Sequence, residues 1–235
     1  MSVSLRARLV MAAGIVCGLA LLGLAAAGLA WLLSPARFPV TQVEVKGSLA
    51  NTTEAEIRAA LPRASGNFFA LDLAEARAAV ERLPWVRRVS VRRVWPGRLE
   101  LAVEEHVALA RWGDDGLVNI QGERFSARSM AALPAFVAPA GTSAEVALRY
   151  RRFSAIVAPL GTSVERVVLT QRHAWQLRLA NGLHVMLGRD GEQAETRLRR
   201  FVEVYAQSAQ KAKKHEYIDL RYPNGFALRV PDWNG

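Results

Sequence analysis

The sequence has a single cysteine, Cys17, so no intrachain disulfide can form and no set of cysteines can build a zinc site. Histidine is scarce as well. His106, His173, His184 and His215 show no metal-ligand spacing and read as surface or strand histidines. There is no glycine-rich phosphate loop, no G-x-S-x-G elbow and no H-E-x-x-H pair. Two pairs of adjacent acids remain. Asp114-Asp115 looks like turn chemistry and Glu104-Glu105 like a strand end, where neighbours point to opposite faces. No catalytic set emerges, so neither an enzyme nor a bound cofactor, metal or small-molecule substrate is expected. Wholesale disorder is excluded too, because a chain 51% hydrophobic and 22% charged can bury a core.

Charge is missing altogether between Arg8 and Arg37, and acidic residues are absent from the first 36 positions. Within that gap Leu9 to Leu33 is almost wholly apolar. As a helix it would be about 37 Å long at about 1.5 Å per residue, against a hydrocarbon core of about 30 Å. Trp31 lies near one end, where an indole prefers the headgroup interface, and Cys17 sits mid-segment as a small hydrophobe. A cleaved signal peptide is the rival, with Ala25–Ala27 as its small-residue pattern, but signal cores run to only about 7–15 residues. The expectation is an uncleaved anchor over residues 9–33. Arg6, Arg8 and the amino terminus place residues 1–8 in the cytoplasm by the positive-inside rule, with residues 37–235 on the other side. That outer part has 29 basic and 21 acidic residues, a net charge of +8. Such basicity suits a solvated surface, an anionic membrane or an acidic partner better than nucleic acid.

Val40, Val43 and Val45 alternate with Thr41, Gln42 and Glu44, and Gly47 closes this strand pattern. Thr53 to Glu56 forms a capping-box pattern ahead of Ile57, Ala60 and Leu61, and Pro62 stops the helix. Asp72 caps a second helix with Leu73, Ala76, Val80 and Leu83 on one face, ended by Pro84. The period then changes to two. Val89 and Val91 oppose Arg88, Ser90 and Arg92; after the Pro96-Gly97 turn, Leu99, Leu101 and Val103 oppose Glu100, Ala102 and Glu104. Arginines and acids can pair across this hairpin. The order strand, helix, helix, strand, strand fills residues 37–106.

Residues 107–235 continue with strand signals. His106 to Trp112 and Leu117 to Ile120 flank a Gly113–Gly116 turn. Leu133 to Gly141, with its prolines, reads as a loop. Ala144 to Val157 places Val146, Tyr150, Phe153 and Val157 on one helical face, and Arg149, Arg151 and Arg152 on its wet side. Three strands follow, Val167–Thr170, Trp175–Leu179 and His184–Leu187, with Asn181-Gly182 as a hairpin signal. Glu192 to Ala209 is helical, with Leu198, Phe201, Val202 and Tyr205 inward. A last hairpin joins Tyr217–Tyr222 to Phe226–Val230. The fold class is therefore α+β: an N-terminal membrane helix, a small β-α-α-β-β domain, then a mainly antiparallel β domain with flanking helices. A terminal hairpin can leave one sheet edge open to an extended partner.

Several stretches match a known pattern in order. Phe38-Pro39-Val40-Thr41-Gln42-Val43-Glu44-Val45-Lys46-Gly47 resembles the start of a POTRA domain. So do Asn67-Phe68-Phe69-Ala70-Leu71-Asp72, Leu83-Pro84-Trp85-Val86 and Val91-Arg92-Arg93-Val94-Trp95-Pro96. With Ala174-Trp175-Gln176-Leu177, Leu187-Gly188-Arg189 and Tyr217-Ile218-Asp219-Leu220-Arg221-Tyr222 behind one anchor, the whole chain resembles the FtsQ/DivIB family of bacterial cell-division proteins. That resemblance implies a POTRA domain beside the inner membrane and a periplasmic β domain at the septum. It also implies a non-catalytic scaffold that joins early and late divisome proteins and binds FtsB and FtsL. In the family FtsB adds a strand to the last β-strand. By motif the contact would involve Arg172, Arg221, Tyr222, Asn224, Gly225, Phe226 and Val230, with Arg172 facing acidic groups. Val89, Val91 and Arg93 are weaker candidates for recruitment through the POTRA domain. Family members can carry a Trp near the end of the last strand; here Val230 holds that place and Trp233 follows. The alternative is another POTRA-containing envelope protein that handles outer-membrane proteins, but the 129 residues of 107–235 are too few for most transmembrane barrels. Under the scaffold reading, Tyr222→Ala or Phe226→Glu is expected to reduce FtsB binding with the fold intact, as measured by binding assay and circular dichroism.

Overall fold

The computed structural model describes residues 2–34, 37–62, 67–114, 116–207, 216–222 and 225–229. The chain divides into two compact units, Met1–Glu105 and His106–Gly235.

The first unit starts with α1 (Ser2–Leu32), whose stretch Ala7–Leu32 is long and apolar enough to cross a membrane. From Leu9 to Trp31 its large apolar side chains are exposed, so no protein core accounts for them. Then come β1 (Gln42–Lys46), α2 (Glu54–Ala60), α3 (Leu73–Val80), β2 (Val86–Val94) and β3 (Arg98–Glu105). The sheet order is β1-β3-β2, with β1 parallel and β2 antiparallel to the central β3.

Both helix starts follow from their caps. The Thr53 hydroxyl accepts from the Glu56 N–H, and the Glu56 carboxylate accepts from the Thr53 N–H at 2.7 Å. Asp72 accepts from the Ala74 and Glu75 N–H groups. Such caps are each worth about 1 kcal/mol. Ile57 and Val80 then bury against Val89, Leu99, Leu101 and Val103, and Ala76 is fully buried on the same helix as Val80. Glu105 ends β3 and takes backbone hydrogen bonds from Ala50, Asn51 and Thr52, which fasten the loop before α2 to the sheet. Burial pushes this carboxyl up, but those bonds together outweigh it and hold its pKa below the usual range. The exception to the alternation is Glu100. It is 7% exposed on the central strand because Lys46 at 2.9 Å and Arg92 at 2.6 Å lie over it.

Among the described residues, the second unit is a nine-stranded sheet with two α-helices packed on it. Its strands are β4 (Ala108–Trp112), β5 (Gly116–Asn119), β6 (Arg124–Phe125), β7 (Ala135–Val137), β8 (Val164–Leu169), β9 (Ala174–Leu179), β10 (His184–Arg189), β11 (Tyr217–Asp219) and β12 (Ala227–Arg229). They lie in the order β12-β11-β10-β9-β8-β7-β4-β5-β6. Five neighbouring pairs are antiparallel and three are parallel: β4 with β7, β7 with β8, and β10 with β11. The helices α4 (Ser143–Val157) and α5 (Gly191–Gln207) bring Val146, Phe153, Val157, Leu198 and Phe201 onto Val167, Trp175, Leu177 and Val185.

Three details depart from the sequence reading. Leu133–Gly141 is not all loop: Ala135–Val137 forms β7, which pairs with both β4 and β8, and Phe136 is fully buried. Pro134 and Pro139 flank the strand without interrupting it, and the Pro134 carbonyl accepts from the Arg111 N–H. Arg149 is not on a wet face. Its side chain is 14% exposed and pairs with Glu195 of α5, which Arg152 also reaches at 3.3 Å. The β9–β10 hairpin closes on three residues, Ala180 to Gly182, because the Leu179 N–H donates to the Leu183 carbonyl and Gly182 takes φ +90°. Asn181 is therefore the apex of the loop and accepts from the Leu183 N–H.

Phe136 tests the importance of β7. It has 0% exposure and packs at 5.1 Å on Tyr150 of α4. Phe136→Ala is expected to destabilise the second unit by about 3–5 kcal/mol, measured by urea unfolding followed by circular dichroism.

Candidate functional site

The site lies at the β12 end of the large sheet, and its geometry follows from how β11 is paired. The His184 N–H donates to the Glu216 carbonyl, and the Leu220 N–H donates to the Met186 carbonyl. Even-numbered residues of this segment therefore turn their backbone groups toward β10. Backbone groups of alternate residues point to opposite sides of a strand. Tyr217 and Asp219 thus face β12, where the register matches them to Arg229 and Ala227. Leu228, between those two, turns its N–H and C=O away from the sheet. Among the described residues no strand pairs with that outer side.

β12 is held in place through side chains. Leu228 is half-buried against the core, and Phe226 meets Phe201 of α5 edge-on at 5.5 Å. Phe226 is therefore a fold residue as well as a candidate contact. The expectation that a glutamate there would leave the fold intact is corrected on this ground.

Where the β8–β9 turn, the end of β10 and the chain just past β11 meet lies a hollow of about 490 Å³ lined by Thr170, Gln171, Arg172, Ala174, Gly188, Arg189 and Arg221. Three of these are arginines and none is acidic. Arg172 is exposed in the β8–β9 turn, where His173 adopts φ +57° and the Thr170 hydroxyl accepts from the Ala174 N–H. Opposite it, β10 bulges between Met186 and Gly188, and Gly188 has φ +84°. A Cβ on Gly188 would stand 3.1 Å from Arg197 Nη1 and 3.2 Å from Arg221 Cγ. The left-handed backbone alone costs a non-glycine residue roughly 1–2 kcal/mol.

Arg221 follows β11 and is fixed by Asp219. Its Nε lies 2.9 Å from Asp219 Oδ1 and its Nη2 2.6 Å from Oδ2, while its own N–H donates to Oδ1 at 3.0 Å. Asp219 is buried while the Arg221 side chain is exposed, so the carboxylate anchors the guanidinium from below. The Arg221 hydrogen bonds outweigh burial and hold the Asp219 carboxyl below its ordinary value, and the same pair raises Arg221 above its own.

The structure thus brings Arg172 and Arg221 to one hollow, with exposed Tyr222 and Gly225 on the chain segment between β11 and β12. Asn224 and Val230 lie outside the described residues. The three POTRA candidates are elsewhere, on β2. Val89 is 1% exposed in the core and Val91 is half-buried. Arg93 is exposed, and its guanidinium donates to the Phe68 and Leu71 carbonyls. Any partner at β2, an edge strand, would meet its backbone and Arg93 rather than the Val89 side chain.

Comparison with known proteins bears on what such a site serves. Residues 38–106 match the FtsQ-type POTRA domain, and residues 110–221 match the C-terminal region of the cell-division proteins FtsQ and DivIB. The cell division protein FtsQ of Burkholderia pseudomallei is 42% identical over 227 residues, 94% of this chain and 91% of that protein. The chain belongs to the FtsQ family. The FtsQ of Neisseria gonorrhoeae is 38% identical, with 89% of this chain and 87% of the relative covered. That of Escherichia coli K12 is 33% identical, with 85% and 76% covered. The family is one of cell-division proteins, not a known enzyme family, and it supports a divisome role.

Sequence reading named Arg172 and Arg221 but gave no role to the residues that position them. A lone glycine inside the His184–Arg189 strand was the available signal for a bulge. Asp219 gave no such signal, since its importance depends on β11 being an inner strand. Asp219→Asn is expected to destabilise the second unit at pH 7, by urea unfolding. The folded pKa of Asp219 is depressed, so its contribution is present above the ordinary value of 3.8 and is lost as pH falls through the folded value. The gap between wild type and variant should therefore close in acid, below pH 3.8.

Proposed function

We propose that the chain is a division scaffold of the inner membrane, with a cytoplasmic N-terminus, α1 as its span over residues 9–33, and residues 37–235 in the periplasm. Its POTRA domain covers 37–106 and its β domain 107–235. The periplasmic part of FtsB adds a strand to β12, FtsL is bound with it through periplasmic and membrane segments, and the assembly links early to late divisome proteins. The role is binding, not catalysis.

The observation that supports this most is the outward Leu228 backbone on β12, in a sheet whose β8 to β11 ends also form a hollow with three arginines. Strand addition obtains affinity from main-chain hydrogen bonds, each worth about 1 kcal/mol net, and specificity from neighbouring pockets. An acidic residue flanking the incoming strand would enter the hollow and meet Arg172 and Arg189, with Arg221 already oriented by Asp219. Exposed Tyr222 offers an amphipathic ring at the mouth of the same site.

The test uses the full chain in detergent and the periplasmic part of FtsB, with affinity measured by calorimetry. Arg172→Glu and Tyr222→Ala change exposed side chains and should preserve the circular dichroism spectrum. Each is expected to weaken binding about tenfold or more, the scale of a hot-spot loss above about 1 kcal/mol. Arg172→Glu should also flatten the salt dependence. Unchanged affinity in both variants would move the FtsB site away from this edge.

A further inference from the structure

The end of the POTRA domain beside α1 carries a group of rings that its core does not explain. Trp31 of α1 meets Phe38 edge-on at 6.0 Å, and Phe38 lies 5.4 Å from Phe69 and 6.0 Å from Trp95. Phe68 closes the group at 5.9 Å from Trp95. Phe68 is 5% exposed and belongs to the interior, but Phe69 is 41% and Trp95 61% exposed. Two cations border the rings. The Arg37 guanidinium sits 5.3 Å above the Trp31 ring, and Arg93 is exposed beside Phe69.

A second observation fixes where this patch lies along α1. The last carbonyls of a helix have no partner within it, and at the membrane boundary the protein must supply one. Asn67 does so. Its Nδ2 donates to the Leu32 and Ser34 carbonyls, both at 2.8 Å, and its Oδ1 accepts from the Phe69 and Ala70 N–H groups. At 2% exposure this side chain is a buried fastening between the end of the apolar helix and the loop that presents Phe69. The Phe68 N–H donates to the Phe38 carbonyl at 2.7 Å and tightens the same junction. The aromatic patch is thus tied to the point where the apolar helix stops.

We propose that this end of the POTRA domain seats in the headgroup interface of the bilayer that α1 spans, with Phe69 and Trp95 among the lipid and Arg37 and Arg93 against lipid phosphates. The inference rests on reading α1 as a membrane span. Apolar length sets the level of the interface, and that level falls at Trp31 to Ser34. Tryptophan beside cations is the side-chain composition that this layer selects. A domain so seated is held at a fixed attitude to the membrane instead of swinging on a tether.

Nitroxide labels on the full chain in phospholipid nanodiscs test this, read as accessibility to oxygen against a soluble nickel chelate. Native Cys17 labels the middle of α1. In a Cys17→Ser background, Ala70→Cys labels the aromatic end. Ala50→Cys labels the loop at Glu105, the other end of β3, about 24 Å away at about 3.4 Å per residue. The label at position 70 is expected to favour oxygen several-fold more than the label at 50, and Phe69→Ser with Trp95→Ser should abolish that difference without changing the reading at 50. Equal readings at 70 and 50, with Cys17 still in lipid, overturn the docking and leave the span standing. An aqueous reading at Cys17 overturns both.

Discussion

A strand carries hydrogen-bonding groups on two sides, and the candidate site exists because β12 uses one of them. The parity is set one strand earlier. β11 lies parallel to β10 with Glu216, Ile218 and Leu220 directed toward it, which leaves Tyr217 and Asp219 for β12 and sends the Leu228 backbone outward. A shift of one residue in β11 would reverse every one of these assignments, and would also turn buried Ile218 away from the core. Core packing of Ile218 therefore decides which backbone groups a partner would meet. Fold stability and the geometry of the candidate site are coupled through that one register.

The hollow at the ends of β8 to β11 depends on the same strand pair. The bulge at Gly188 lets Arg221 and Arg197 close over β10, where a side chain would hold them off. Arg197 donates to the Leu187 carbonyl at 2.9 Å, so α5 is drawn onto the bulged strand at the same place. Asp219 then completes the arrangement from β11 by taking four hydrogen bonds from Arg221. A backbone irregularity, a helix and an inner-strand carboxylate together orient one guanidinium. The bulge and α5 are separated by only Arg189 and Asp190, whereas Asp219 comes from beyond the far end of that helix.

Much of this architecture was legible where the determinants are local. The Thr53 capping box, the Asp72 cap, the two-residue alternation of β2 and β3 and the inward face of α5 all stand as their sequences imply. What was not legible depends on distant pairing. Ala135–Val137 has only three residues between prolines and becomes a strand because β4 and β8 close on both its sides. Arg149 looks like a wet-face residue within α4 until Glu195 of α5 is brought against it. Phe226 reads as the start of the last strand and a partner contact, and Phe201 packs it against the core as well. The family resemblance located the edge, but the outward direction of Leu228 required the register of β11.

The distribution of charge separates the two units more clearly than their totals do. In the POTRA domain the arginines are largely balanced in place: Arg58 with Glu54, Arg77 with Glu81, Arg87 with Glu104, Arg92 with Glu100 and Arg98 with Glu44. These pairs are mostly exposed and contribute little individually to stability. Their effect is to leave that surface with weak net fields despite its many cations. Around the hollow the situation is reversed. Among the described residues Arg172 and Arg189 have no acidic partner, and Arg221 shares its charge with one buried carboxylate. A net +8 outside the anchor is thus not a diffuse property of a basic protein. Part of it is concentrated in the hollow at the ends of β8 to β11, whose field would attract an acidic segment, while the outward Leu228 backbone on β12 offers the hydrogen bonds that would hold one as a strand.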